Sequence, residues 1–231
     1  MNASYSPTRD PLFYVAVGFF ALITTGLPAM IGLTRLLPLM QGLALAVFVI
    51  LAVRQGETRH AVWVMAVWLV VQFLLVTLLA WIFTARLENA VAGGFEARGA
   101  ILEWHFADRL FPGSLPDDPW RRLGEIAGVT LGALATAGVV GDWVVVRAVN
   151  VAGLQLGAML ANAGGTVFLT SPFLWLVVPR IAGLAGLTIL FTEPLLTRNW
   201  SPGFYWRNRR RLIVVSPALL ALGLILESLV R

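Results

Sequence analysis

Cysteine and lysine are both absent from the 231-residue chain, and histidine occurs only as His60 and His105. Without cysteine there is no disulfide, no thiolate metal site and no cysteine nucleophile. Without lysine there is no retinal-type Schiff base or other lysine-based covalent chemistry. Two imidazoles do not make a haem-dense, iron–sulfur or multi-histidine metal protein, which leaves room only for a single pigment or metal contact at His60 or His105. No cofactor is therefore expected beyond bound lipid. Charge is scarce as well. Only 13% of the residues are charged and 58% are hydrophobic, whereas a soluble domain carries about a quarter charged residues. With a mean hydropathy of +0.82, much of the surface must be covered by lipid.

What is present is a series of long apolar runs. About 20 mostly apolar residues cross roughly 30 Å of hydrocarbon. Seven such segments are expected, within a range of five to seven: 11–34, 36–53, 61–84, 124–146, 149–178, 180–196 and 212–230. The region 149–196 also divides naturally into two spans near Gly164-Gly165. Trp63 and Trp81 bracket the third run, about 27 Å apart at 1.5 Å per residue, as two interfacial anchors. The fold class is thus an all-α, polytopic transmembrane helix bundle forming one membrane domain.

The exception is residues 85–123, which hold half of the acidic side chains, among them Glu88, Glu96, Asp117 and Asp118. Leu87, Val91, Phe95, Leu102, Phe106 and Leu110 recur there at three- to four-residue steps, with one gap near Gly99. This pattern predicts an amphipathic interfacial helix lying on the membrane or on a partner, closed by the turn chemistry of 111–119.

Arginine placement orients the seven-span scheme. A cytoplasmic N-terminus puts Arg9, Arg54, Arg59, Arg147, Arg198, Arg207, Arg209, Arg210 and Arg211 inside and only Arg35, Arg180 and Arg231 in short outside segments. This follows the positive-inside rule and suits a multi-pass protein of a bacterial inner membrane.

Small residues at four-residue spacing mark two helix faces, Gly124, Gly128 and Gly132 on one and Gly153, Gly157, Ala161 and Gly165 on the other. Such faces let backbones approach closely in lipid. They suit either packing of the two segments on each other or a subunit interface. Polar groups within spans are few. Gln72 and Asn162 fit interhelical hydrogen bonds. Arg180 is a loop residue in the seven-span scheme. If 166–196 is one broken span, Arg180 instead sits at the midplane, with Asp142 as counter-charge to an anion pathway.

Around Glu103–Arg109, a helix would place His105 on one face with Asp108 and Arg109, but no nucleophile completes a site. Arg198, Trp200, Trp206, Arg207, Arg209, Arg210 and Arg211 form an anchor for anionic headgroups, or a docking site for an acidic partner. Its place between two spans argues against nucleic acid. There is no Gly-rich phosphate loop, HExxH or Gly-x-Ser-x-Gly motif, and no metal site or catalytic set is expected.

The leading expectation is a non-enzymatic membrane subunit of a larger complex, serving as scaffold, assembly factor or conduit component, with lipids and other membrane subunits as partners. A small-solute or ion transporter or channel is the alternative. A membrane-embedded enzyme using the Glu103–Arg109 region ranks third.

Overall fold

The computed structural model describes residues 8, 10–34, 36–55 and 58–230. Arg9, Arg35 and Arg231, three of the arginines used to orient the chain, lie outside the described residues. Every regular element among the described residues is helical. Six helices are long and apolar enough to cross a membrane: α1 (Pro11–Ile31), α2 (Leu36–Arg54), α3 (Thr58–Ile82), α8 (Val139–Ala163), α10 (Phe173–Thr197) and α11 (Pro202–Leu229). The protein is a helical membrane bundle.

The first three spans match the sequence expectation closely. Asp10 caps α1 by accepting from the Leu12 N–H, Pro11 opens it, and Gly32 ends it in the left-handed region at φ 76°. The hairpin to α2 is as short as expected.

The second half is cut differently from the expected 124–146, 149–178 and 180–196. The expected span at 124–146 is interrupted at its middle, where Ala137 and Gly138 take φ 53° and 97°. A Cβ on Gly138 would lie 2.5 Å from Thr192 Oγ1, so this tight turn against α10 requires glycine. α8 therefore begins at Val139. It ends at Ala163, and Gly164 supplies the break at φ 74°, which is the division at Gly164-Gly165. Arg180 consequently lies within α10, not in a loop. α11 starts at Pro202, ten residues before the expected 212, so most of the basic run is helical.

A seventh crossing is made by a shorter, broken segment. Gln72 on α3 bonds Asn150 and the Val146 carbonyl of α8, and Gly153 and Gly157 meet Val76 and Ala80. These pairs ascend together, so α3 and α8 run parallel. The chain must return across the bundle between them, and residues 119–135 do so. They comprise α6 (Pro119–Ala127), a π-helical turn (Gly128–Gly132) and α7 (Ala133–Ala135). Gly128 and Gly132 lie against Val144 and Val140, antiparallel to α8. Seven crossings put the described N-terminal end and the Arg198–Arg211 region on one face. α4 (Thr84–Ala90) and α5 (Gly94–Ala107) lie on the other.

α8 is the hub. It packs against α2, α3, α5, α10 and the π turn, and 89% of its apolar window is buried. The amphipathic helix expected in 85–123 is instead two helices, α4 and α5, separated at 91–93 with Gly93 at φ 70°. Leu87, Ile101 and Trp104 are buried against the bundle, while Phe95 and Phe106 are exposed at the lipid boundary.

The two small-residue faces do not pack on each other. Gly128 and Gly132 receive α8 valines, and Gly153 and Gly157 receive α3, whereas Gly124 and Gly165 meet nothing within 4 Å and Ala161 is exposed. A third set was missed. Gly183 and Gly186 of α10 and Gly223 of α11 let these two helices touch at Leu220, Ser216 and Arg180. Replacing Gly157 with leucine would drive a side chain into Ala80 and the Thr77 carbonyl. It should cost about 3 kcal/mol or more, read as a lowered Tm of the purified protein, whereas Gly165→Leu should leave Tm unchanged.

Candidate functional site

The neutral polar side chains concentrate at mid-height of the bundle. Gln72 lies midway between Trp63 and Trp81, so its bonds to α8 mark the centre of the hydrocarbon layer. On this side of α8 the polar groups are neutral and mutually satisfied. The Gln41 amide donates to Thr25 (2.8 Å) and Asn150 (3.2 Å), and Asn150 donates back to Gln41 (2.6 Å). Gln72 donates to Asn150 and to the Val146 carbonyl, both at 2.8 Å, while Trp68 donates to Gln72 at 3.1 Å. Four helices, α1, α2, α3 and α8, are thereby joined without charge.

On the other side of α8 the groups are ionised. Asp118 caps α6 by accepting from the Arg121 N–H, and Pro119 opens it, so Arg122 and Glu125 come to one face three residues apart. Arg122 bonds Glu125 Oε2 at 2.9 Å and Glu227 Oε2 at 2.8 Å. Arg180 bonds the same Glu125 oxygen at 3.0 Å and Glu227 Oε1 at 2.7 Å. The result is a closed ring of two cations and two anions, tying α6, α10 and α11 together. Glu227 is 0% exposed, Arg122 2% and Arg180 4%. Desolvating four charges is costly, and only their mutual pairing holds them in the interior.

Two further arginines lie beside the ring. Arg121 pairs with Glu125 Oε1 at 3.6 Å, the oxygen that the ring leaves free, and its guanidinium packs against Gly113. Arg147 is exposed on α8, makes no ion pair among the described residues, and lies over the Trp143 ring at 5.2 Å. Arg121, Gly124, Glu125, Trp143, Arg147 and Val151 line a cleft of about 310 Å³ that opens on the outer surface of the bundle. Arg147 is thus the cation at this cleft with no ion pair among the described residues. A second lateral groove, of about 420 Å³ between α3 and α10–α11, is lined by Met65, Phe73, Val149, Ile181 and similar apolar groups and has the character of an acyl-chain site.

The residues singled out from sequence fall in several places. Arg180 is buried at membrane depth, but Asp142 is not its counter-charge. Glu125 and Glu227 are. Asp142 is 0% exposed in the first turn of α8, and neither carboxyl oxygen has a hydrogen-bond partner among the described residues. Gln72 sits in the amide cluster, whereas the Asn162 amide bonds only the Ala158 carbonyl at an exposed helix end. His60 hydrogen-bonds Tyr14 beside Arg59 and Trp63. His105 touches the rings of Trp104 and Phe106. Asp108 ends α5 at φ 49°, so it and Arg109 leave the helical face that was to place them beside His105. The described residues hold no cluster of three or more metal-ligating side chains.

Of the basic–aromatic run, Trp200, Trp206, Arg207, Arg210 and Arg211 are exposed, and Arg198 adopts φ 53° at the end of α10. Arg209 instead makes a bidentate pair with buried Glu193, at 2.8 to 3.1 Å. It clamps α11 to α10 and is not free for headgroups. Sequence reasoning passed over Glu125, Glu193 and Glu227. The available signal was a carboxylate at the edge of an apolar run, which in lipid requires a cation nearby. Compared with known proteins, the chain matches no family model, no curated protein and no solved structure.

The ring yields a stability prediction. Glu227→Gln removes the anion that both Arg122 and Arg180 share and should destabilise by about 3–5 kcal/mol. Glu88→Gln, which breaks the more exposed pair with Arg98, should cost about 1 kcal/mol or less. Reversible unfolding of the purified protein measures both, and equal effects would contradict the ring's structural role. Asp142→Leu should leave stability unchanged or raise it, because the carboxyl it removes makes no hydrogen bond.

Proposed function

We propose that the chain is a non-enzymatic integral membrane subunit of a larger assembly, acting as a scaffold or assembly component. One observation carries this reading, the exposed Arg147 within α8 beside an outward-opening cleft, which makes no ion pair among the described residues. Charged side chains inside a membrane face a bundle interior, a water-filled cavity or a partner. Here Arg147 faces outward. The small-residue faces, by contrast, lend the subunit reading little, since the glycines that make close contacts do so within the chain. The largely apolar groove between α3 and α10–α11 agrees with lipid as a further partner.

The proposed location is a bacterial inner membrane with the N-terminus cytoplasmic. Arg54, Arg59, Arg198, Arg207, Arg209, Arg210 and Arg211 gather at the N-terminal face. The opposite face carries Arg86, Arg98 and Arg109 among Glu88, Glu96, Glu103, Asp108, Asp117 and Asp118. Exposed Trp200, Trp206, Arg207, Arg210 and Arg211 suit anionic headgroups on the proposed cytoplasmic side.

Asp142 favours one rival. A fully buried carboxyl with no hydrogen-bond partner among the described residues is the kind of group that transporters use to carry a proton or cation. Native mass spectrometry after gentle extraction separates the two. A stoichiometric second protein is the expected result. A lone chain or homo-oligomer whose liposomes show a flux abolished by Asp142→Asn would replace the subunit reading with transport.

A further inference from the structure

We infer that the groove between α3 and α10–α11 binds one anionic phospholipid, with an acyl chain along the groove and the phosphate held at its mouth by Arg59, Asn208 and Arg211. This goes beyond the subunit reading and does not depend on it, since a chain without protein partners would bind the same lipid.

Extent is the first argument. On α3 the lining begins at Val62, ten residues before Gln72, and ends at Leu74, two residues after it. On α10 it runs from Ile189 to Leu174. At 1.5 Å per residue these stretches are about 18 and 22 Å long. Half of the hydrocarbon layer is about 15 Å and the whole about 30 Å. On α11 the lining covers only Leu212 to Leu219, the half of the apolar run nearest the N-terminal face. The groove therefore starts at that face and ends a little beyond mid-height. An acyl chain entering from one leaflet fits this course, whereas a transmembrane helix would lose its seat in the other half.

Composition is the second. Ser216 is the only lining side chain that carries a hydroxyl, amide or charge. Small residues at Ala66, Ala182, Ala185 and Gly186 leave about 420 Å³ between the larger walls, within the roughly 300–1,000 Å³ of ligand pockets. With lipid on every side, an alkyl chain is held there by close packing, not by exclusion of water.

Charge at the mouth is the third. Arg59 lies one and two turns before Val62 and Ala66 on the same face of α3. Asn208 and Arg211 lie one turn before Leu212 and Val215 on α11. All three are exposed. α3 and α11 both begin at the N-terminal face, and helical side chains lean toward the helix start, so these polar ends extend toward the phosphate layer that exposed Trp63 marks. Neither arginine makes an ion pair among the described residues, and Glu193, at this end of α10, is already held by Arg209. Two cations without an anion select a headgroup of net negative charge. The ammonium of a zwitterionic lipid would instead meet a second positive group.

Native mass spectrometry of the full chain, purified in detergent and titrated with phosphatidylglycerol or phosphatidylcholine of equal chain length, tests the site. The wild type should retain one phosphatidylglycerol under activation that strips phosphatidylcholine. Ala182→Trp, at an exposed position on the groove floor, should abolish that retention and leave the Tm of the lipid-free protein unchanged. Arg59→Gln and Arg211→Gln should each weaken apparent affinity about fivefold, and together about thirtyfold. Arg210→Gln removes the same charge from the side of α11 turned away from the groove and should change nothing. Equal retention of the two lipids, or equal losses from Arg210→Gln and Arg211→Gln, would overturn the inference. So would retention undiminished in Ala182→Trp. In native membranes a photo-crosslinking residue at Ala182 should capture phospholipid. A protein captured there would overturn the lipid site while leaving the subunit reading intact.

Discussion

A charge inside the hydrocarbon must be neutralised where it sits, because neither water nor mobile counter-ions reach it. In this bundle that constraint links residues far apart in sequence. Arg122 on α6, Arg180 on α10 and Glu227 near the end of α11 have no reason to meet except that none can remain alone. Their ring fixes how deep the broken segment 119–135 enters and which helices it touches. The π turn beside it accommodates the rest, since Gly128 and Gly132 must settle against Val144 and Val140 while Glu125 stays aimed at both arginines.

α8 divides two kinds of polar chemistry. Toward α1–α3 it offers Asn150 and the Val146 carbonyl to uncharged amides, whose donors and acceptors match without desolvating an ion. Toward α6 and the outer surface it offers Arg147 and Trp143. The first arrangement is self-sufficient and rigid. The second is incomplete, and its incompleteness points outward. An exposed arginine within a span agrees with the proposed subunit role, in which a partner covers it.

Much of the architecture was legible from hydropathy alone. The first three spans, the short α1–α2 hairpin and the interfacial character of 84–107 follow from run length and periodicity. The odd number of crossings was argued from arginine placement instead, and the parallel course of α3 and α8 agrees with it. The second half was less legible because its boundaries are set by tertiary contacts. Gly138 ends a helical run only because Thr192 fills the space beside it, and Pro179 looks like a breaker but sits within α10, where neighbouring helices support the freed carbonyl. Arg180 was visible as an in-span cation, yet its partners come from positions 55 residues before and 47 after it, which no local pattern encodes. The His105 cluster failed for a local reason, the left-handed turn at Asp108.

The chain's lack of cysteine makes the seven-crossing topology directly measurable with single introduced cysteines. The account depends on 119–135 crossing the bundle, since only then do Arg122 and Glu125 enter it beside Arg180 and Glu227. Pro116→Cys and Arg210→Cys, both at exposed positions, should react with a membrane-impermeant maleimide from opposite sides of oriented membrane vesicles. Gly165→Cys should react from the same side as Pro116→Cys. If Pro116 and Arg210 label from one side, 119–135 does not cross. The ring and the cleft would then lose their place in the membrane.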